Sequence, residues 1–246
     1  MADKIDVLGV LVDKVSMQSA LDKLMDFLSE DVPHAVYTPN SEIIMRAYRD
    51  EKFRKTLNSA ELITPDGIGV VYASRILKDP LCERVGGFDL SGKLIEKISD
   101  GSHSLYFFGG KPTVAEQARD KLKEKYPGLN VVGCADGYFD AEKEKKIIED
   151  IKEKKPDILF VCLGAPKQEE WILAHKEELG VKILMGIGGS LDVYAGVATR
   201  APEAFQKLGL EWLYRLLKQP SRFIRMMDLP KFGFTVLFKG KRVKEK

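Results

Sequence analysis

Two apolar runs, residues 157–163 and 182–187, most constrain the fold of this 246-residue chain. Neither alternates polar with apolar positions, so each reads as a strand buried on both faces, as in the middle of a parallel sheet. Each follows a charged segment of helical length. Each ends in a glycine-bearing corner, Gly164-Ala165-Pro166 and Gly188-Gly189-Ser190. Parallel strands cannot be joined by hairpins and need such crossovers. The pattern predicts an α/β chain built on a doubly wound, mostly parallel sheet.

The rest of the chain extends the alternation. Strands are expected at 5–11, 34–38, 61–64, 104–108 and 130–133. Helices are expected at Met17–Leu28, 41–48, 50–58, 69–77, from the 86–90 segment to 98, 113–126, Ala141–Lys154 and Lys167–Leu179. Trp171 falls at helical spacing in the last of these and is expected in the core rather than on a stacking platform.

In such sheets ligands bind beyond the carboxyl ends of the strands. Those ends hold Thr38-Pro39-Asn40, Pro65-Asp66-Gly67, Gly109-Gly110-Lys111, Gly137-Tyr138, the Gly164 corner with Lys167-Gln168, and Gly188-Gly189-Ser190 with Asp192. Free N–H groups at helix starts attract anions. Each corner alone is equally an ordinary tight turn. Together on one edge they suggest a phosphate-bearing ligand. None is a Walker A motif, and Gly109-Gly110-Lys111 lacks the spacing of a dinucleotide fingerprint.

Asp66 is the sharpest single residue. Pro65 stiffens the corner before it, and Gly67 after it admits a close neighbour. Two readings fit: a catalytic carboxylate, or the N-cap of the next helix. Arg84 precedes a glycine pair and can either grip a diphosphate with its fork or sit solvated on the surface. Lys167 and Gln168 can face a ligand or form an exposed first turn. Tyr138 can stack on a base or be buried as structure.

Composition narrows the class. No stretch approaches the roughly 20 apolar residues of a spanning helix. Residues 1–6 lack the basic and apolar regions of a signal peptide. Cys82, Cys134 and Cys162 have no CxxC spacing and read as buried thiols in a reducing compartment. His34, His103 and His175 have no ligand spacing, so a His/Cys metal site is not expected.

Charge is asymmetric. Residues 199–246 carry 12 Lys+Arg against 4 Asp+Glu, a net of +8, and the preceding 198 residues carry 27 against 33, a net of −6. The organisation expected is a core over 1–198 and a basic, amphipathic appendage over 199–246. The appendage interleaves Arg215, Arg222 and Arg225 with leucine, phenylalanine and methionine. That mixture suits an anionic membrane surface. A nucleic-acid tail needs no such apolar content, so nucleic acid is not expected as a partner. Docking of the appendage onto the sheet is the competing reading, and an apolar tail off the membrane can also drive self-association into a homo-oligomer.

These residues resemble the WecG/TagA/CpsF glycosyltransferases of bacterial surface-polymer synthesis. The resemblance rests on Thr38-Pro39-Asn40, Pro65-Asp66-Gly67, Glu83-Arg84-Val85 with Gly87-Phe88-Asp89, Gly164-Ala165-Pro166-Lys167-Gln168-Glu169, the 186–192 segment, Arg200-Ala201-Pro202, and the 209–216 segment. These motifs run in the family's order through nearly the whole chain, and the match leans toward the TagA branch, which makes the wall teichoic acid linkage unit.

The resemblance implies a Rossmann-like core and an appendage that completes the active site at the inner face of the cell membrane. It implies inverting transfer of N-acetylmannosamine from UDP-N-acetylmannosamine to undecaprenyl-diphosphate-linked N-acetylglucosamine, without a metal or other cofactor. Asp66 is then the general base. Thr38 and Asn40 orient sugar hydroxyls, and Gln168 holds substrate. Arg84, Arg215, Arg222 and Arg225 take the charge of the diphosphate, while Gly189, Ser190 and Asp192 contact the nucleotide. A UDP-linked uronic acid donor is the nearest alternative. A dinucleotide-dependent oxidoreductase and a non-catalytic membrane adaptor are the alternatives of other classes.

Overall fold

The computed structural model describes residues 3–207, 209–218 and 223–239. The chain opens with β1 (Lys4–Val7) and β2 (Val10–Asp13), an antiparallel hairpin rather than the single strand expected over 5–11. Leu8 and Gly9 both take positive φ, 55° and 90°. A two-residue turn of that hand matches the twist of paired strands.

Next come α1 (Met17–Leu28), β3 (His34–Tyr37), α2 (Ser41–Arg49), α3 (Glu51–Asn58), β4 (Leu62–Ile63), α4 (Ile68–Ile76) and α5 (Gly87–Lys97). The alternation continues through β5 (Ser104–Gly109), α6 (Val114–Lys125), β6 (Asn130–Ala135), α7 (Ala141–Lys154), β7 (Ile158–Cys162), α8 (Lys167–Leu179) and β8 (Ile183–Gly186). Five further helices close the described chain: α9 (Ser190–Tyr194), α10 (Glu203–Lys207), α11 (Glu211–Lys218), α12 (Phe223–Met226) and α13 (Asp228–Lys239).

Strands β3 to β8 form one fully parallel sheet in the order β4-β3-β8-β7-β5-β6. The period of two along each strand splits the core into two layers. Tyr37, Phe108, Leu159, Val161 and Leu184 pack with α2, α3, α4, α7 and α8 on one face. Val36, Phe107, Ile158, Phe160 and Met185 pack with α1, α5 and α6 on the other. Trp171 is in the first layer, as its spacing predicts, and its indole N–H donates to Glu144 at 2.8 Å.

The hairpin secures the short edge strand β4. Asp13 is fully buried, and its Oδ2 accepts the Ile63 N–H at 2.8 Å. Lys4 and Lys23 flank the carboxylate at 3.3 and 3.5 Å. A buried charge persists when it is paired and hydrogen-bonded in this way. The site's acidic corner begins one residue past this strand.

The last helix is amphipathic in a specific sense. Phe232 and Val236, one turn apart on α13, are buried in the same layer as α2 and α4. Arg49 of α2 forks onto Asp228 at 2.8 and 3.1 Å. Phe234, Leu237 and Phe238 of α13 stay exposed. Among the described residues no helix is long and apolar enough to cross a membrane. Cys162 is buried and Cys134 half-buried, but Cys82 is exposed, against the expectation of buried thiols. It lies in the surface loop between α4 and α5.

Candidate active site

The corner after β4 and the segment before α5 are laced together by hydrogen bonds. Thr64 Oγ1 donates to the Val85 carbonyl at 2.9 Å, and the Val85 N–H donates to the Pro65 carbonyl at 2.9 Å. Glu83 adds a third tie, accepting the first N–H of α1, on Met17, at 2.7 Å. These bonds bring Arg84 beside Asp66 although it lies 18 positions further along the chain, the difference of their numbers. Asp66 is half-buried and is not the helix cap, because Gly67 is the N-cap of α4. Gly67 has φ 90° and ψ 143°, a conformation open to glycine and costly for other residues.

Arg84 is not a solvated surface residue. One guanidinium nitrogen donates to Asp89 at 2.5 Å and another to Glu211 of α11 at 2.9 Å. Asp89 also receives Arg200 at 2.6 Å on its other oxygen. A chain of four charged groups therefore runs from α11 through Arg84 and Asp89 to Arg200. Sequence reasoning assigned no role to Asp89, Arg200 or Glu211. All three stand inside the motifs that carry the family resemblance, which was the available signal.

Asn40 is the N-cap of α2, and its Oδ1 accepts the N–H groups of Glu42 and Ile43 at 3.0 and 3.1 Å. Its amide nitrogen has no hydrogen-bond partner among the described residues, and the residue lines the site. Thr38 is buried, and its hydroxyl donates to the Gly186 carbonyl at 3.3 Å, binding the ends of β3 and β8 together.

Gln168 is 3% exposed and used at both ends. Its amide N–H donates to Glu169 at 2.8 Å, and its oxygen accepts the Gly188 N–H at 3.2 Å. Glu169 is 1% exposed, and its Oε2 has no partner among the described residues. Burial pushes this carboxyl up to about 7, with the Gln168 hydrogen bond and nearby Arg46 opposing. Ser190 donates to the Ile187 carbonyl at 2.6 Å, closing its own turn. The Asp192 carboxylate faces the same cavity with no hydrogen bond or ion pair to the described residues.

Two cavities meet at this cluster. The larger, about 460 Å³, has Thr38, Gln168, Gly189, Ser190, Asp192 and Arg200 in its wall. The smaller, about 310 Å³, has an apolar wall of Ile68, Tyr72, Trp212, Met226 and Leu229. Asn40, Asp66, Arg84 and Glu211 line both. Volumes of this order suit small-molecule sites.

Two sequence candidates lie elsewhere. Lys167 is exposed, and its ammonium sits 3.8 Å over the Phe139 ring, outside both cavities. Tyr138 is 62% exposed on the loop after β6, the far edge strand, so it is neither buried structure nor part of either cavity. The Gly109-Gly110 and Gly137 corners also belong to that far half. There the Gly137 N–H bonds the Gly110 carbonyl at 2.9 Å, so these glycines serve chain packing. Arg222 lies outside the described residues, as do the side chains of Arg215 on α11 and Arg225 on α12.

Comparison with known proteins shows the family. A family model described as Glycosyl transferase WecG/TagA/CpsF family matches residues 5–246. The N-acetylglucosaminyldiphosphoundecaprenol N-acetyl-beta-D-mannosaminyltransferases of Staphylococcus aureus strains MRSA252 and MW2 are each 34% identical over 244 residues, covering 98% of this chain and 95% of theirs. The protein of strain NCTC 8325 / PS 47 matches with the same identity and coverage. The chain therefore belongs to the WecG/TagA/CpsF family of glycosyltransferases.

Proposed function

We propose that the chain moves N-acetylmannosamine from UDP-N-acetylmannosamine to undecaprenyl-diphosphate-linked N-acetylglucosamine, with inversion and without a metal. The observation that carries this reading is the position of Asp66 and Arg84 on the wall shared by two cavities. Transfer between two bound substrates needs one point that both can reach, with a base and a cation there. The names of the S. aureus relatives supply the acceptor and the sugar.

In this reading the larger cavity takes the nucleotide sugar and the smaller, apolar-walled one the lipid-linked acceptor. Asp66 accepts the proton of the acceptor hydroxyl as its oxygen attacks the anomeric carbon. The new C–O bond forms on the face opposite the old one. The bond to the β-phosphate breaks, and its electron pair leaves on the phosphate oxygen. Arg84 and the appendage arginines Arg215, Arg222 and Arg225 stabilise that charge. Thr38 and the Asn40 amide orient sugar hydroxyls. Gln168 acts by holding the Gly188 turn, and Gly189, Ser190 and Asp192 meet the nucleotide. Residues 1–198 supply the core, and 199–246 complete the site and bring it to the inner face of the membrane, where the exposed phenylalanines of α13 meet lipid.

The test is product analysis with UDP-N-acetylmannosamine, its uronic acid and a short-chain lipid acceptor, with and without EDTA. Transfer of the first sugar, unaffected by EDTA, is expected. Turnover of the uronic acid alone would reassign the donor. Asp66→Asn is expected to lose about 10²–10⁴-fold in kcat, the usual share of a general base. Near-normal activity in that variant would remove Asp66 from the role.

A further inference from the structure

Arg200 is a half-buried cation in the wall of the larger cavity, on the segment that leads out of α9. Two contacts fix its guanidinium. Its guanidinium lies 4.7 Å over the Phe88 ring, whose other neighbour is the Tyr194 ring at 4.9 Å. Tyr194 is held in turn by Ser91 at 2.7 Å and the Phe88 carbonyl at 3.1 Å. Asp89 Oδ1 accepts one of the Arg200 N–H groups at 2.6 Å. The backbone before it is tied down by the Ala198 N–H on the Asp192 carbonyl at 2.9 Å.

The same carboxylate holds Arg84 on its other oxygen, at 2.5 Å. One carboxylate thus bridges two guanidinium groups and turns both toward one cavity. A guanidinium carries five N–H donors. Arg200 uses a single nitrogen on Asp89, and its other donors have no partner among the described residues. Four carboxylates line this cavity (Asp66, Asp89, Asp192 and Glu211) and repel an anion, so one can seat only where the guanidinium groups of Arg84 and Arg200 stand, and the spare donors of Arg200 suit one with several acceptors.

We infer that Arg200, set beside Arg84 by their shared carboxylate Asp89, is a substrate-binding residue that grips the diphosphate of the nucleotide donor. The inference rests on the proposed donor class and adds a residue to it. A diphosphate presents acceptor oxygens on two adjacent phosphorus atoms and matches two converging forks. A sugar carboxylate or a single phosphate fills only one. The Phe88 stack holds the plane of the fork before the ligand arrives, so little side-chain freedom is lost on binding. Asp89 is the positioning residue of the pair.

The experiment is calorimetric titration of the full chain with UDP and with uridine, using wild type, Arg200→Gln and Arg200→Lys, with thermal melts of each. Wild type is expected to bind UDP. Arg200→Gln should lose about tenfold or more in UDP affinity, the scale of one lost charge-assisted contact. Uridine affinity should be unchanged. Arg200→Lys keeps the charge without the fork and should fall between. It also serves if the glutamine variant melts early. Equal UDP affinity in a folded Arg200 variant overturns this inference and leaves the glycosyl-transfer reading intact. Equal losses for UDP and uridine overturn it too, because the effect is then not on phosphate. A wild type that binds no UDP overturns the donor reading and this inference together.

Discussion

Asp66 and Arg84 meet across the bare α-carbon of Gly86. A side-chain carbon there would lie 3.0 Å from Asp66 Oδ1 and 3.4 Å from Arg84 Nη1. The backbone at Gly86 has φ −80° and ψ 145°, which any residue adopts. Asp89 Oδ2 would also lie at 3.4 Å, so a side chain here crowds three charged groups while its own backbone is unstrained.

A Gly86→Ala variant separates these causes. The added methyl pushes the carboxylate or the guanidinium by a few tenths of an ångström while the fold gains slightly from a stiffer unfolded chain. Stability is expected to stay level or rise by about 0.5 kcal/mol. The kcat for transfer is expected to fall about tenfold or more, since catalytic groups tolerate little displacement. Melting curves beside steady-state rates check it. A variant that is destabilised and fully active would reverse the account.

How much of this was legible in the sequence follows from where each signal resides. The apolar runs at β7 and β8 and the amphipathic helices are local, and most expected elements stand within a few residues of their predicted bounds. The hairpin at Leu8-Gly9 was missed because a leucine at positive φ leaves no mark in composition. The site was half legible. Asp66, Thr38, Asn40 and Gln168 stand just beyond strands β4, β3 and β7, and with β8 those strands are four consecutive neighbours in the sheet. Tyr138 and Lys111 look equivalent in sequence, yet their strands take the other end, and strand order is not written in any one segment. The Arg84–Asp89–Arg200 bridge joins three loops through tertiary packing. No spacing rule reports it.

Glu169 gives the fold a pH dependence with a definite sign. Its carboxyl titrates near 7 in the folded chain, against 4.5 for the ordinary group. The folded state therefore holds a proton that the unfolded state has lost between those values. Stability is expected to fall as pH rises from about 4.5 to 7, by roughly 3 kcal/mol for the whole interval, and to level off above it. The groups facing it are Gln168, Glu170, Arg46 and the hydroxyl of Tyr37. Glu169→Gln keeps an acceptor for Gln168 and removes the titration. Denaturant unfolding at pH 5 and pH 8 should show the variant gaining on wild type at the higher pH. Parallel pH profiles for both proteins would exclude Glu169 as the source.

Phe232 and Phe234 lie two residues apart on α13 and answer different questions. Phe232 is 3% exposed and Phe234 is 64% exposed. Phe232→Ala leaves a hole between α13 and the α2–α4 layer and is expected to cost about 3 kcal/mol. It should also open 199–246 to limited proteolysis, because burial of that ring, with Val236, packs α13 on the core. Phe234→Ala should change stability by no more than about 0.5 kcal/mol. Equal effects of the two substitutions would contradict the buried and exposed faces described for the helix.

The exposed face leads to a membrane prediction. Phe234, Leu237 and Phe238 are 64, 55 and 75% exposed, and Phe223 on α12 is 59% exposed. Such a patch on a segment of net charge +8 has two ways to hold a bilayer. Apolar side chains enter the interface, each contributing on the order of 1.5–3 kcal/mol when fully buried. Basic residues near an anionic surface add about 1 kcal/mol each and weaken with salt. Replacing Phe234, Leu237 and Phe238 together by serine removes only the first contribution. Sedimentation with vesicles rich in anionic lipid should then show binding at least about tenfold weaker, while the melting temperature holds because none of the three packs in the core. Residual binding should vanish as salt is raised, and wild type should bind neutral vesicles less than anionic ones. Undiminished binding by the triple variant at high salt would place the membrane contact elsewhere on the molecule.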